Sequence, residues 1–399
     1  MEFPELEQQR RTLVDTFADE QEIGPQNMSV IASPYRICPL GAHIDHQGGP
    51  VLGMTINACT LMVFYRADDD QVRLKSRNYP GKVTFSLAEI PDSPGSFWGV
   101  YPRAAALALK ESHQLDFGIC GLLDGMLPGC GLSSSASVLL AYIHALARAN
   151  DLTLSAWDYV NLTRRAENKY IGLNNGILDQ TSIVFGQKNH LLHIDTLDQT
   201  VAKLQDRRDE NDYRIIVAYS GYSRELTTSG YNSRVDECRL AAAELSRLAG
   251  RPGAQVLSGV EPSSFERFGA QLQTHVRKRA AHFFSESQRV MDGLTAWNNG
   301  DIETFGKLMN QSCASSIEQY ECGVPAVCDL QQIVSGADGV LGSRFMGGGF
   351  GGCVVGLVRS SRATLAAEEI EAAYKQLHPE VAEQAFVRLS RSDDGVRFL

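Results

Sequence analysis

The sequence predicts an α+β chain of two domains, and three observations carry that expectation. Runs rich in β-branched and aromatic residues cluster between Val30 and Phe85, helical periods dominate much of the remainder, and a charged break without apolar period, Lys203 to Asp212, separates two halves. At 399 residues, the chain has room for about two domains of roughly 100–200 residues each. The expected units are residues 1–209 and 210–399.

The elements follow in order. The first twenty residues show a polar amphipathic helix pattern and lack the apolar centre of a signal peptide. Strands are predicted at Met54–Tyr65, Gln71–Ser76 and Lys82–Ser86, bounded by the turn signals Gln47-Gly48-Gly49-Pro50 and Tyr79-Pro80-Gly81. Helices are predicted over Trp98–Glu111, Ser134–Asn150 and Ser155–Tyr170, each apolar at three- and four-residue spacing, with short strands at Leu191–Ile194 and Tyr213–Tyr219. Helices dominate from Arg234 to Tyr320, and Cys353–Val358 reads as a closing strand. No internal repeat of fixed period is present.

Composition narrows the functional classes. Hydrophobic residues make up 43% and charged residues 21%, an ordinary globular balance that excludes disordered or fibrous classes. Lys plus Arg number 37 against 47 for Asp plus Glu, a net charge of −10 that disfavours nucleic acid or an anionic membrane as partners. The most apolar stretch, Val51 to Tyr65, contains Asn57 and falls short of the ~20 residues a bilayer span needs. Nine cysteines, an odd number with no CxxC pair, are expected to be reduced thiols in a cytoplasmic protein.

Three glycine-rich segments carry the chemistry. The first, Leu127 to Ser137 (LPGCGLSSSAS), opens into the helix pattern VLLAYIHALARA. Glycines and serines at a helix start present free backbone N–H groups and the positive end of the helix dipole, which makes an anion site. A plain serine N-cap is the simpler reading, and the two glycines with three consecutive hydroxyls favour phosphate over it. The segment is neither a Walker A loop, which needs GxxxxGK[ST], nor a GxSxG nucleophile elbow. The second, Gly347 to Gly352 (GGGFGG), spells GxGxxG but precedes a strand, so a dinucleotide fingerprint fails on context. What remains is a loop where backbone approaches a ligand or another backbone segment, with the ligand favoured. The third, Pro34 to Gly49, sets polar and ionisable residues among glycines. Its His43, Asp45 and His46 lack any companion His or Cys cluster, so a polar pocket for a hydroxylated small molecule fits better than a metal trio.

Taken together and in this order, the three segments resemble the GHMP kinase family, and within it the galactokinase branch. Arg36 followed by Gly41-Ala42-His43-Ile44-Asp45-His46 and paired glycines resembles that branch's Arg and Gly-Glu-His-Thr-Asp-Tyr signature. The likeness spans most of the chain, including the serine motif and the late glycine loop. Members that act on galacturonate share its departures, Ala42 for Glu, Ile44 for Thr and His46 for Tyr.

The resemblance implies a two-domain GHMP kinase fold with the active site in the cleft, and transfer of the ATP γ-phosphoryl to the anomeric hydroxyl of galacturonate. Galactose is the alternative acceptor. A non-catalytic sugar sensor of the same branch is the competing class, but sensors lack part of the serine motif that Gly131 to Ala136 keeps complete here. The implied cofactors are ATP and Mg²⁺. Asn175-Gly176-Ile177-Leu178-Asp179-Gln180 resembles the family's Gly-Ile-Met-Asp-Gln, which makes Asp179 the catalytic carboxylate and Arg36 the cation beside it. Ala42, His43, Asp45, Gly176 and Tyr231 fall to the sugar. Trp98, Gly129, Gly131, Ser133, Ser134 and Ser135 fall to the nucleotide, with Tyr101 beside Trp98, and Ser135 and Glu167 to Mg²⁺. Tyr35, Arg224 and Arg234 are the expected candidates for gripping a uronate carboxylate.

Overall fold

The computed structural model of the chain describes residues 2–91, 97–127, 129–208, 212–223 and 230–399. The first half is built on one long strand. After helix α1 (Leu6–Gln21) come β1 (Ser29–Ile37) and β2 (Val51–Arg66), paired antiparallel with Ile31 opposite Met62 and a bulge between Pro34 and Tyr35. Strand β2 is buried along nearly all its length, so it reads as a continuous apolar run rather than an alternating one. Strands β3 (Gln71–Ser76), β4 (Lys82–Ser86) and β5 (Ile119–Gly125) extend this sheet, with α2 (Val100–Lys110) between β4 and β5.

The period of two decides which layer each residue joins. Val30, Ala32, Leu61, Val63 and Leu122 face one way and bury Leu13, Val14 and Phe17 of α1. Ile31, Met62, Phe64 and Leu123 face the other way, towards α2, α3 (Ser134–Ala149) and α4 (Ala156–Arg165). Helix α5 (Leu178–Phe185) packs on β1 and β2, and the hairpin of β6 (His190–Asp195) and β7 (Thr200–Gln205) attaches to the start of β2.

The second half holds a four-stranded antiparallel sheet. It comprises β8 (Tyr213–Tyr219), β9 (Val340–Phe345), β10 (Cys353–Arg359) and β11 (Phe386–Ser390), in the order β11-β8-β10-β9. Helices α6 (Tyr231–Leu248), α7 (Pro262–Phe268), α8 (Thr274–Asn298) and α9 (Ile302–Glu318) separate β8 from β9 in sequence, with α10 (Pro325–Gly336) before β9 and α11 (Ala363–Leu377) after β10. Both α9 and α10 pack on β9, and α11 packs on β11. One apolar core joins the halves, running from Ile37, Leu40 and Leu52 to Val276, Phe305 and Val355. A last strand, β12 (Arg397–Phe398), returns to pair with β1 in the first sheet.

The predicted strands and helices named above are all present, with two differences. The charged break at 203–212 begins inside β7, whose side chains are mostly exposed. The helix predicted over Ser155–Tyr170 is α-helical to Arg165 and widens into a π-helical turn, Ala166–Ile171, a local distortion that recurs at functional sites. That turn buries Glu167.

The two glycine loops meet backbone to backbone. Gly352 has φ +91°, and a Cβ there would lie 2.7 Å from the Cys130 carbonyl oxygen. Gly352→Ala is therefore expected to destabilise the protein by about 1–3 kcal/mol through left-handed strain and a backbone clash, read as a lower urea midpoint.

Candidate active site

The serine-rich loop enters α3 with its N-cap in the left-handed region, Ser133 at φ 61° and ψ 40°. Ser133 makes no side-chain capping bond, and its Oγ is buried without a partner. A plain N-cap would have used that oxygen, so the loop is shaped for something other than closing its own helix. Ser134 Oγ instead accepts from Gly129 N at 3.1 Å, and Gly129 and Gly131 both hold positive φ. A cavity opens on this loop, lined by Gly129, Gly131 and Ser133 to Ser135 at one end and by Tyr79, Trp98, Tyr101 and Tyr142 at the other. Trp98 is fixed by its indole N–H, which donates to the Pro80 carbonyl at 3.2 Å. An aromatic end joined to an anion-binding end suits a purine nucleotide.

The second cavity is polar. It is lined by Arg36, Ala42, His43, Asp45, Asn175, Gly176, Asp179, Arg344, Gly347 and Gly348, and it shares Ser135 with the first. Arg36 comes from β1 and is 3% exposed, and its Nε and Nη2 both lie 2.7 Å from Asp179 Oδ1 in the first turn of α5. Asp179 Oδ2 has no hydrogen-bond partner among the described residues, and Arg36 Nη1 is buried without one. The pair therefore keeps one acceptor and one cationic donor uncommitted. Asp45 lies beside them, its Oδ2 accepting from Leu178 N at 3.2 Å. A Cβ on Gly176 would overlap the Asp45 carboxylate, so only glycine lets that backbone pass. Burial first, and then the Asp179 charge, pushes the Asp45 carboxyl up to about 6.

Glu167 reaches the same place from the π-helical turn. It is fully buried, accepting from Ser135 Oγ at 3.0 Å and Asn175 Nδ2 at 2.7 Å. A buried carboxylate and a hydroxyl beside a phosphate loop are hard oxygen donors, the set Mg²⁺ takes alongside phosphates and water. The residues present therefore fit both ATP and Mg²⁺, and the orphaned Ser133 Oγ and Arg36 Nη1 point the same way.

His43 is held at φ 63°, stacked on Tyr320 with ring centroids 4.5 Å apart, and its Nε2 lies 3.4 Å from Cys322 Sγ. The Gly41-Ala42 turn is clamped by buried Glu286, which accepts from Gly41 N at 2.7 Å and Ala42 N at 3.3 Å. His282 Nε2 lies 2.9 Å from the Ala42 carbonyl, and burial pushes its imidazole down to about 4, so it is neutral and donates there. His46 turns away from the cavity towards Tyr320 Oη and Gln47.

Thus Arg36, Ala42, His43, Asp45, Gly176, Asp179, Ser135 and Glu167 come together, and Trp98, Tyr101, Gly129, Gly131, Ser133 and Ser134 gather in the adjoining cavity. Two of the uronate candidates do not join them. Tyr35 lines the serine-loop cavity and not the polar one, and its Oη accepts from Leu127 N at 3.2 Å. Arg234 is held by Glu237 and by the Glu321 carbonyl, since both lie within its reach on and beside α6. Arg224 and the side chain of Tyr231 lie outside the described residues. The sequence reading missed Glu286, His282 and Arg344. Glu286 and His282 sit four apart on the inner face of α8, a spacing that places both on one side of the helix but does not reveal which side is buried.

A cavity suited to a purine nucleotide and a polar cavity that meet at one serine suit an enzyme that transfers phosphoryl groups. Residues 100–187 match the family described as GHMP kinases N terminal domain, and residues 291–376 match GHMP kinases C terminal. The chain is 42% identical over 376 residues to a galacturonokinase of Arabidopsis thaliana, covering 88% of each chain, and 32% identical to a galactokinase of Staphylococcus carnosus, covering 86% of this chain and 88% of that one. A crystal structure of Lactococcus lactis galactokinase complexed with galactose superposes with a TM-score of 0.88 at 29% identity, covering 97% of this chain and 98% of that one. A mevalonate kinase structure, at 19% identity and a TM-score of 0.64, shares the fold. The chain belongs to the GHMP kinase family, and its fold is that family's.

Because the Asp45 carboxyl is raised to about 6, it is protonated below that pH and loses its charge-assisted acceptance of hydroxyls. The KM for the acceptor is expected to rise as pH falls through about 6, while the KM for ATP does not follow it. Steady-state kinetics from pH 5 to 8 on the wild type and Asp45→Asn measure this, the variant showing a flat acceptor profile over that step.

Proposed function

We propose that the protein is an ATP- and Mg²⁺-dependent sugar kinase that phosphorylates galacturonate at the anomeric oxygen. The observation that carries phosphoryl transfer is the placement of Ser135 on the wall of both cavities, which brings the serine loop and the Arg36–Asp179 pair to one point.

Asp45 and His43 hold the sugar hydroxyls, and Gly176 lets its own backbone pass close against the Asp45 carboxylate on the same cavity wall. Asp179 accepts the proton of the anomeric hydroxyl on its free Oδ2 while Arg36 fixes Oδ1. The Arg36 guanidinium, on the wall of the same cavity, offsets charge on the transferring group, a role that preorganised cations fill in such reactions. The serine loop and its backbone N–H groups hold the phosphates, with Trp98 and Tyr101 at the base. Ser135 and Glu167 would hold Mg²⁺, which supplies neutralisation of phosphate charge when bound. Asp179→Asn is expected to keep acceptor binding and lower kcat by about 10²–10⁴-fold, checked by titrating the acceptor and measuring turnover of the same preparation.

Ala42 decides the sugar. In the galactokinase signature that position is a glutamate, and a uronate would set a second carboxylate against it. Two anions about 4 Å apart repel by on the order of 4 kcal/mol at an effective dielectric near 20, roughly a thousandfold in binding. Ala42 removes that charge and lines the acceptor cavity. The name of the Arabidopsis relative points to the same acceptor. An ADP-release assay over galacturonate, galactose, glucuronate and galactosamine should show galacturonate as the best acceptor, and Ala42→Glu should lower its kcat/KM far more than that of galactose. Better turnover of galactose by the wild type would give the galactose reading its place.

A further inference from the structure

We infer that Arg344 is the residue that receives the substrate's carboxylate, an inference that rests on the galacturonate reading above. Arg344 lies near the end of β9 and is 1% exposed, yet its side chain lines the acceptor cavity with Ala42, His43 and Asp45. Its guanidinium is committed on two of its three nitrogens. Nε donates to the Phe345 carbonyl at 3.2 Å, and Nη1 donates to Ser312 Oγ at 2.6 Å. Nη2 has no partner among the described residues and is not among the buried unpartnered atoms, and the residue lines the cavity.

Position follows from a shared neighbour. Glu286 Oε1 accepts from Ala42 N at 3.3 Å and lies 3.7 Å from Arg344 Nη1. Residue 42 and the guanidinium are therefore adjacent on the cavity floor, and the space left by the small Ala42 side chain lies next to a cation. Charge follows the same way. Glu286 is fully buried and answers two guanidiniums, Arg289 at 2.7 Å and Arg344 at 3.7 Å, while His282 beside them is neutral. One positive charge at the floor is left without an anion from this cluster, in a place where an unpaired buried charge is unfavourable. A carboxylate on the sugar's sixth carbon supplies that anion, and a planar guanidinium suits it better than an ammonium would. Three elements fix the donor in advance: β9 carries it, Ser312 on α9 holds Nη1, and Glu286 on α8 flanks it.

This cation lies apart from the one used in phosphoryl transfer. Arg36 is bound to Asp179, and Arg344 to Ser312. The first serves the anomeric end of the substrate and the second its carboxylate.

The test compares galacturonate, galacturonate methyl ester and galactose in the wild type, Arg344→Lys and Arg344→Gln. The ester removes the substrate charge without any mutation. The wild type is expected to use the acid about 10- to 100-fold better than the ester in kcat/KM, the range of a charge-assisted hydrogen bond. Arg344→Gln should collapse that ratio towards one, lowering galacturonate use far more than galactose use, and Arg344→Lys should restore part of it. ATP-dependent thermal stabilisation identifies variants that remain folded. Equal use of acid and ester by the wild type overturns the assignment, as does an equal loss on all three acceptors in folded Arg344→Gln, which marks a structural role. Wild-type activity on galactose in excess of galacturonate instead removes the substrate reading itself, and the assignment with it.

Discussion

A guanidinium buried to 3% exposure requires an anion, and Arg36 has Asp179. That pair ties the end of β1 to the start of α5, and both elements are held in turn by the sheet and by the core. The rest of the site is arranged around it. Asp45 sits close enough to feel the Asp179 charge, and Gly176 passes against Asp45 because no side chain fits. The serine loop reaches the pair through Ser135. Losing Asp179 would leave the buried Arg36 charge alone, so the pair proposed to carry the reaction is also one of the structural fixed points of the molecule.

The site draws on both halves of the chain, and the shared core explains how it stays in register. The Gly41-Ala42 turn of the first half hangs from Glu286 and His282 of the second. Cys38 N donates to Met346 Sδ at 3.3 Å, and Gly352 touches the Cys130 carbonyl. The Gly41-Ala42 turn, the serine loop and the second sheet are thus joined by buried contacts rather than by exposed ion pairs, which contribute little each.

How much of this was legible in the sequence depends on what each signal measures. Strands β3, β4 and β8 were readable to the residue because their apolar pattern and flanking turns agree. Strand β7 was not, since an exposed edge strand with only two partly buried positions carries no apolar period. Strand β12 is two residues long and offers no pattern at all, and α5 is a short helix that begins without a side-chain cap. At the site, the glycine and serine spacings pointed to the loop that lines the first cavity, and the family likeness drew attention to Asp179, Glu167 and Arg36. Arg344 stayed invisible because burial of a lone arginine is decided by Ser312 and Glu286, far away in sequence. In the late glycine loop the backbone reading holds at Gly352, which packs against the Cys130 backbone, while Gly347 and Gly348 line the polar cavity.

The pairing of Ile31 with Phe398 joins residues separated by almost the full length of the chain. β1 has its β2 partner close by in sequence, whereas the cover on its other edge comes from β12. An uncovered row of backbone donors and acceptors is a template for another strand, and contacts this distant in sequence form late. β12 covers Ile31 and Ala32 of that edge, so a strand of two residues keeps part of the template closed.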